Sequence, residues 1–287
     1  MNQASNLDDL MKATLTPQKG RTKFIAITSG KGGVGKSTIS ANLSYALYKL
    51  GYRVGVFDAD IGLANLDVIF GVKTHKNILH ALRGEAQFDE VIYAIEEGLY
   101  LIAGDSGDEI LKYANQDILD SFISESKLLD SLDYMIIDTG AGIGEVTQAF
   151  LNASDHIIVV TTPDPAAITD AYATIKINSK IKQELFVLIN MAASSKEGLK
   201  VFEKIQNVAK KNLPHLQLDF LGCLYSSDAV KKSTKYRELL CKIEPINGFS
   251  SSIKQIAKII TSKMEHNMLE PSKESFAGFF KRILSYL

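Results

Sequence analysis

Between Gly30 and Thr38 the chain reads Gly30-Lys31-Gly32-Gly33-Val34-Gly35-Lys36-Ser37-Thr38. The Gly-x-x-x-x-Gly-Lys-Ser spacing is that of a loop that cradles phosphates. Its glycines let backbone N–H groups turn inward on a phosphate with no Cβ in the way. A helix starting at Lys36 would add the positive end of its dipole. In such a loop Lys36 contacts the β- and γ-phosphates, and the Ser37 hydroxyl binds Mg²⁺. One lysine suffices for that chemistry, so Lys31 is left over.

Three carboxylates complete the set. Asp138 closes the apolar run Tyr134-Met135-Ile136-Ile137 and suits the acidic residue that supports the Mg²⁺ ion. The Thr139-Gly140-Ala141-Gly142 stretch after it could change order on meeting a γ-phosphate. Asp58 and Asp60 close a second apolar run, Val54-Gly55-Val56-Phe57, where a carboxylate can orient an attacking water. One is enough for the water; the other would cap a helix or balance charge beside Mg²⁺.

The elements that must position these residues follow from the apolar pattern. Strands are expected over 24–28, 54–57, 99–103, 134–137, 156–160, 185–189 and 218–224, with helical segments between most of them. A helix from Lys36 to Leu50 stops at Gly51. Short, continuously apolar strands alternating with helices predict an α/β fold, a mainly parallel doubly wound sheet buried on both faces. In such a sheet ligands sit at the carboxyl ends of the strands. Lys36, Asp58, Asp60, Asp138 and Asn190 all fall there.

At Lys31 the sequence becomes more specific. Lys31-Gly32-Gly33-Val34-Gly35-Lys36-Ser37-Thr38 resembles the deviant Walker A motif of the MinD/ParA ATPases, and the likeness covers almost the whole chain. Asp58-Ala59-Asp60-Ile61-Gly62-Leu63-Ala64-Asn65-Leu66-Asp67 is similar to the switch I segment of MinD-like proteins. Thr161-Thr162-Pro163-Asp164-Pro165-Ala166-Ala167-Ile168-Thr169-Asp170-Ala171-Tyr172 is similar to a further segment of that branch. The resemblance implies a MinD-like P-loop NTPase fold that binds ATP or ADP with Mg²⁺. It implies that Lys31 reaches the partner's phosphates across an ATP-bound homodimer, and that Lys31, Lys36 and Asp60 carry a slow hydrolysis. Asn190 would contact the adenine, and Asp228 is a further nucleotide-binding candidate. Ser37, Asp58 and Asp138 are the metal-site candidates.

Within the family, Asp138-Thr139-Gly140-Ala141-Gly142 resembles the switch II of the flagellar number regulators; MinD proteins typically carry Ser-Pro in place of Thr139-Gly140. Residues 2–10 are similar to the segment with which that branch stimulates the GTPase FlhF. Gln3, Ala4 and Leu7 match it, while Asn2 and Asp8 depart from it. The resemblance implies the flagellar C-ring proteins FliM and FliN and a flagellar transcription activator as further partners. Division-site regulation of the MinD type and DNA segregation of the ParA type are the alternative functions.

At the other end, Phe276, Phe279, Phe280, Ile283, Leu284 and Leu287 recur at helical spacing, with Lys281 and Arg282 beside them. A helix lying in a membrane interface is expected there. The domain reading is an extension over 1–20, an ATPase domain over 21–263, a polar linker over 264–275 and a membrane-targeting helix over 276–287.

Composition narrows the rest. The formal net charge is -1, so no global basic field draws the chain to nucleic acid. The run Lys231 to Arg237 reads as a solvated helix face. Cys223 and Cys241 form no pair of metal-binding or cluster spacing, which fits a reducing cytosol. The polar start has no signal-peptide pattern. These features predict a cytoplasmic protein; the resemblance and the terminal helix imply ATP-dependent peripheral association with the inner membrane, at the cell poles.

Overall fold

A computed structural model of the chain describes residues 22–60, 65–104, 129, 131–266 and 276–286. Among these residues a single sheet has the order β3-β4-β2-β5-β1-β6-β7-β8. Its strands are β1 (Lys23–Ser29), β2 (Val54–Ala59), β3 (Ile92–Glu96), β4 (Leu99–Ile102), β5 (Tyr134–Ala141), β6 (His156–Thr161), β7 (Glu184–Ala192) and β8 (Gln217–Tyr225). Every neighbouring pair is parallel except β3 with β4. The mainly parallel doubly wound sheet expected from the sequence is therefore the fold observed. Strand β3 was not anticipated. It is a half-buried edge strand containing Tyr93 and Glu96, and it lacks the unbroken apolar run that marks the others.

The helices are α1 (Lys36–Lys49), α2 (Leu66–Phe70), α3 (Ile78–Leu82), α4 (Glu145–Ala153), α5 (Pro165–Asn178), α6 (Ser195–Asn212), α7 (Asp228–Tyr236), α8 (Leu240–Ile243), α9 (Gly248–His266) and α10 (Phe276–Ser285). Side chains alternate across β1, so the strand belongs to both cores. Phe24 and Ala26 face the core that holds α4 and α6. Ile25 and Ile27 face the core built from α1 and α9. The period of two in a strand makes both faces apolar only when both are covered.

Strand β1 lies between β5 and β6, at the centre of the sheet. The chain leaves it towards β2 on one side and returns to β6 on the other. That reversal opens a crevice at the carboxyl end of β1, where the glycine-rich loop stands.

The terminal helix departs from its expected environment. It forms over Phe276–Ser285. Its Phe276, Phe279, Phe280 and Ile283 are buried in the same core as β1 and β2. Phe279 stacks on Phe24 with ring centroids 4.3 Å apart, and Phe280 lies 5.9 Å from Phe57. Arg282 Nη2 reaches Asp155 Oδ1 at 3.9 Å, while Lys281 stays exposed. In this conformation the apolar stripe covers the sheet and is not offered to a membrane. The sequence reading placed the covering surface for this stripe in a membrane interface. Phe24, Phe57 and Phe150 in fact present an aromatic face that α10 fills. Leu287 and the side chain of Leu284 lie outside the described residues, as do Gln3, Ala4 and Leu7.

Candidate functional site

The loop between β1 and α1 is shaped by its glycines. Gly33 and Gly35 have φ of 77° and 93°, in the left-handed region that costs a side chain energy. Gly30 is needed for a different reason. A Cβ there would stand 2.2 Å from the backbone carbonyl of Asp170. The loop thus leaves β1 in direct contact with the first turns of α5. Val34 and Lys36 are buried under it, whereas Lys31, Gly32 and Gly33 are exposed. Thr38 sits partly buried in the first turn of α1.

Asp138 reaches this loop from β5. Its Oδ1 accepts a hydrogen bond from Ser40 Oγ at 2.8 Å, and the nearby Ser37 hydroxyl helps to draw its pKa down. Its Oδ2 is buried with no hydrogen-bond partner among the described residues. Burial pushes the Asp138 pKa up to about 6. A buried, half-satisfied carboxylate beside a hydroxyl costs free energy unless a cation or donor joins it. The residues present therefore fit Mg²⁺, a hard cation served by oxygen ligands.

Asp58 stands opposite Asp138 in the β2–β5 register, but its oxygens are already committed. Oδ1 accepts from the backbone N–H of Asp60 at 3.3 Å. Oδ2 accepts from those of Asn65 and Leu66, each at 3.0 Å. Asp58 thereby clasps the two ends of the segment after β2. Burial first, and then the neighbouring Asp138, raise its pKa to about 7. The structure makes Asp58 an anchor of that segment, a role the metal assignment did not include. Among the described residues the Asp60 side chain makes no such bond in the β2 loop, and it faces residues 139–142. A Cβ on Gly140 would lie 3.3 Å from its Oδ1. Its pKa is raised by burial and drawn back by the charge of Lys36.

Switch II is tied to the same loop. Gly142 N–H donates to Ser29 O at 2.8 Å, and the Thr139 hydroxyl donates to Ile27 O at 3.0 Å. A change at the phosphate loop thus has a short covalent and hydrogen-bonded route into residues 139–142.

Lys31 points away from the loop's interior. Its Nζ meets Asp164 Oδ1 at 3.3 Å, with the two side chains 46% and 52% exposed. Asp164 also caps α5 by accepting from Ala167 N–H at 2.9 Å. That backbone bond, followed by Lys31, holds its carboxyl below the usual carboxylate range.

Asn190 lies near the carboxyl end of β7, against the loop. Its Nδ2 donates to Val34 O at 2.8 Å, and its Oδ1 accepts from Met191 N–H at 2.9 Å. Asp228 stands exposed at the start of α7, paired with Lys231 of the same turn at 3.1 Å.

The structure thus brings Lys36, Ser37, Asp60, Asp138 and Asn190 around one loop. Sequence reasoning missed Ser40, Asp164 and Met191. Ser40 was within reach of it, because it lies one helical turn beyond Lys36 and shares its face. Asp164 and Met191 gain their places only from tertiary contact.

A family model described as ParA, an NUBPL iron-transfer P-loop NTPase, matches residues 20–261. The chain is 61% identical to the flagellum site-determining protein YlxH of Helicobacter pylori, over 100% of this chain and 99% of that one. It is 32% identical to the antiactivator FleN of Pseudomonas aeruginosa, over 84% of this chain and 86% of that one. Among solved structures, the MinD cell division protein of Aquifex aeolicus matches with a TM-score of 0.67 at 26% identity, covering 84% of this chain and 97% of that one. The two cysteines are separated by the sheet: Cys223 packs on one core and Cys241 belongs to the other. They do not form a pair that could hold transferred iron.

Proposed function

Because the chain belongs to the ParA/MinD family of P-loop NTPases, we propose that it is an ATP-driven switch that regulates flagellar number, placement and assembly. The observation that carries the reading is the phosphate loop with Lys31 at its rim and the unpartnered Asp138 Oδ2 beside Ser37. The full-length likeness to a flagellum site-determining protein supplies the biological setting.

In this reading the glycine-rich loop and Lys36 hold the triphosphate, and Ser37 with Asp138 holds Mg²⁺. When bound there, Mg²⁺ would supply positive charge to offset that of the phosphates and of Asp138. Asp60 orients the attacking water and accepts its proton. Burial raises its pKa above the ordinary carboxylate value, which favours proton uptake. Lys31 leaves Asp164 and reaches the phosphates of a second copy, so triphosphate binding favours the dimer. The Lys31–Asp164 pair is exposed, so water screens it and releasing it costs little. A charge-assisted contact to phosphate in a closed interface outweighs that.

The terminal helix is the output. With α10 seated on the sheet the apolar face is hidden. The dimer would free it for the membrane surface, and two helices on one dimer would bind by avidity. FlhF, contacted through Gln3, Ala4 and Leu7, the C-ring proteins FliM and FliN, and a flagellar transcription activator are the proposed protein partners.

The test is phosphate release together with light scattering on a sizing column. Wild-type protein should dimerise with Mg²⁺ and ATP and hydrolyse it slowly. Asp60→Ala should accumulate as an ATP-bound dimer, and Lys31→Ala should stay monomeric. A wild type that remains monomeric at saturating ATP contradicts the switch.

A further inference from the structure

Asn190 does something that a base-reading residue does not need to do. Its side chain is only 7% exposed and is spent inward. The 2.8 Å bond from Nδ2 holds the carbonyl of Val34, in the middle of the phosphate loop. A Cβ on the next residue, Gly35, would fall 2.5 Å from that same Nδ2. Gly35 has φ of 93°, and it is the last residue before α1. The Asn190 amide therefore occupies the space over the turn where the loop becomes the helix.

The backbone around Asn190 is bent to achieve this. The β7–β8 register shifts between Ile189 and Ala192. Met191 takes φ of 56°, a conformation that non-glycine residues adopt at an energetic cost. Such outliers persist where surrounding structure imposes them, and they gather at functional sites. The Met191 N–H returns to Asn190 Oδ1 at 2.9 Å and fixes the amide's orientation. Met191 is 46% exposed, with its Cε 3.8 Å from the position a Gly35 Cβ would take.

An asparagine amide has two N–H donors and two acceptor lone pairs. Among the described residues one donor and one acceptor site are used, leaving one of each. That remainder matches the edge of adenine, which offers a donor and an acceptor side by side. We infer that Asn190 is a positioning residue for the phosphate loop as well as a contact to the base, so that both ends of the nucleotide are recognised through one amide. This rests on the nucleotide-binding reading above. It adds a coupling: base occupancy stiffens the amide, and the amide sets the Val34 carbonyl and hence the direction of the loop's N–H groups.

Inorganic tripolyphosphate separates the two roles, because it has phosphates and no base. The experiment is calorimetric titration of Mg-tripolyphosphate into wild type, into wild type saturated with adenosine, and into Asn190→Leu. Leucine is uncharged and close in size, so it removes the bonds with little change in volume or field. The variant should bind tripolyphosphate roughly tenfold more weakly, as expected for leaving a buried carbonyl without its donor. In wild type, adenosine should tighten tripolyphosphate by about fivefold or more, the usual scale of coupling between sites. In the variant it should have no effect. A variant curve that superposes on wild type, or adenosine without effect on wild type, would overturn the proposal while leaving ATP binding intact. The adenosine arm needs no mutation, so it decides the matter even if Asn190→Leu fails to fold. Wild-type protein that binds neither tripolyphosphate nor ATP would overturn the nucleotide reading and this proposal with it.

Discussion

At the scale of the residue, the site is under electrostatic load. Asp58 and Asp138 hold their protons to about pH 7 and about pH 6, against an ordinary 3.8. Between those values the folded chain binds more protons than the unfolded one, so stability falls as pH rises. The contribution is fully present below about pH 4 and lost by about pH 7. Thermal unfolding of the ligand-free protein should therefore occur at lower temperature at pH 8 than at pH 5. Mg²⁺ with ADP should reduce that difference, because a cation beside Asp138 favours its ionised form. A melting temperature that rises from pH 5 to pH 8 would contradict this picture. Gly30 gives a second test. Gly30→Ala drives a methyl into the Asp170 carbonyl at 2.2 Å. Neither backbone can yield cheaply, so the variant should lose nucleotide affinity in a fluorescence titration and melt earlier. Gly32→Ala, whose Cβ meets nothing within 4 Å, should leave the fold intact.

At the scale of the element, legibility was uneven for physical reasons. The strand–loop–helix unit from Lys23 to Lys49 could be read directly, because a buried strand, left-handed glycines and a lysine at a helix start each leave a mark on the sequence. So could the ends of β2, β5 and β7, which carry Asp58, Asp138 and Asn190. The roles of Asp58 and Asn190 were not legible, because each depends on which backbone groups another segment brings near. The location of α10 was not legible either. An amphipathic stripe says that a face needs covering, not whether a sheet or a lipid surface covers it. The structure gives it a sheet in this state, with Phe276, Phe279, Phe280 and Ile283 all buried. Truncating Phe279 to alanine should cost about 3–5 kcal/mol, as for other buried phenylalanines. Chemical denaturation of the ligand-free protein measures it directly. An unchanged midpoint would mean that α10 does not rest on Phe24. The same packing makes a chain ending at Ser275 a poor control for membrane binding, since it would uncover Phe24 and Phe57. Lys281→Glu is better, because it changes an exposed charge beside the stripe and leaves the buried face alone.

At the scale of the whole molecule, three devices meet at the central strands. The carboxyl end of β1 carries the phosphate loop. The face of β1 and β2 carries α10. Switch II joins the two, because β5 runs from beside that face to Gly142, which is bonded to Ser29. α10 also packs directly on α4, the helix that follows switch II. A dimer that moves residues 139–144 would therefore disturb the seat of the helix. Burying its four large side chains gains roughly 1.5–3 kcal/mol each at most. That is large enough to keep the helix seated without ATP, and comparable with what a membrane interface returns. In the proposed switch, lipid and sheet would compete for one face, and the dimer would decide between them. No described helix is long and apolar enough to cross a membrane, so attachment through α10 would be peripheral. The most direct measurement is co-sedimentation with liposomes containing anionic lipid, with ADP and with a non-hydrolysed ATP analogue, for wild type and Lys31→Ala. Wild type should pellet with the analogue and stay in solution with ADP, and Lys31→Ala should stay in solution with both. Equal binding of wild type in the two nucleotides, or binding by Lys31→Ala, would contradict the coupling of ATP, dimer and membrane.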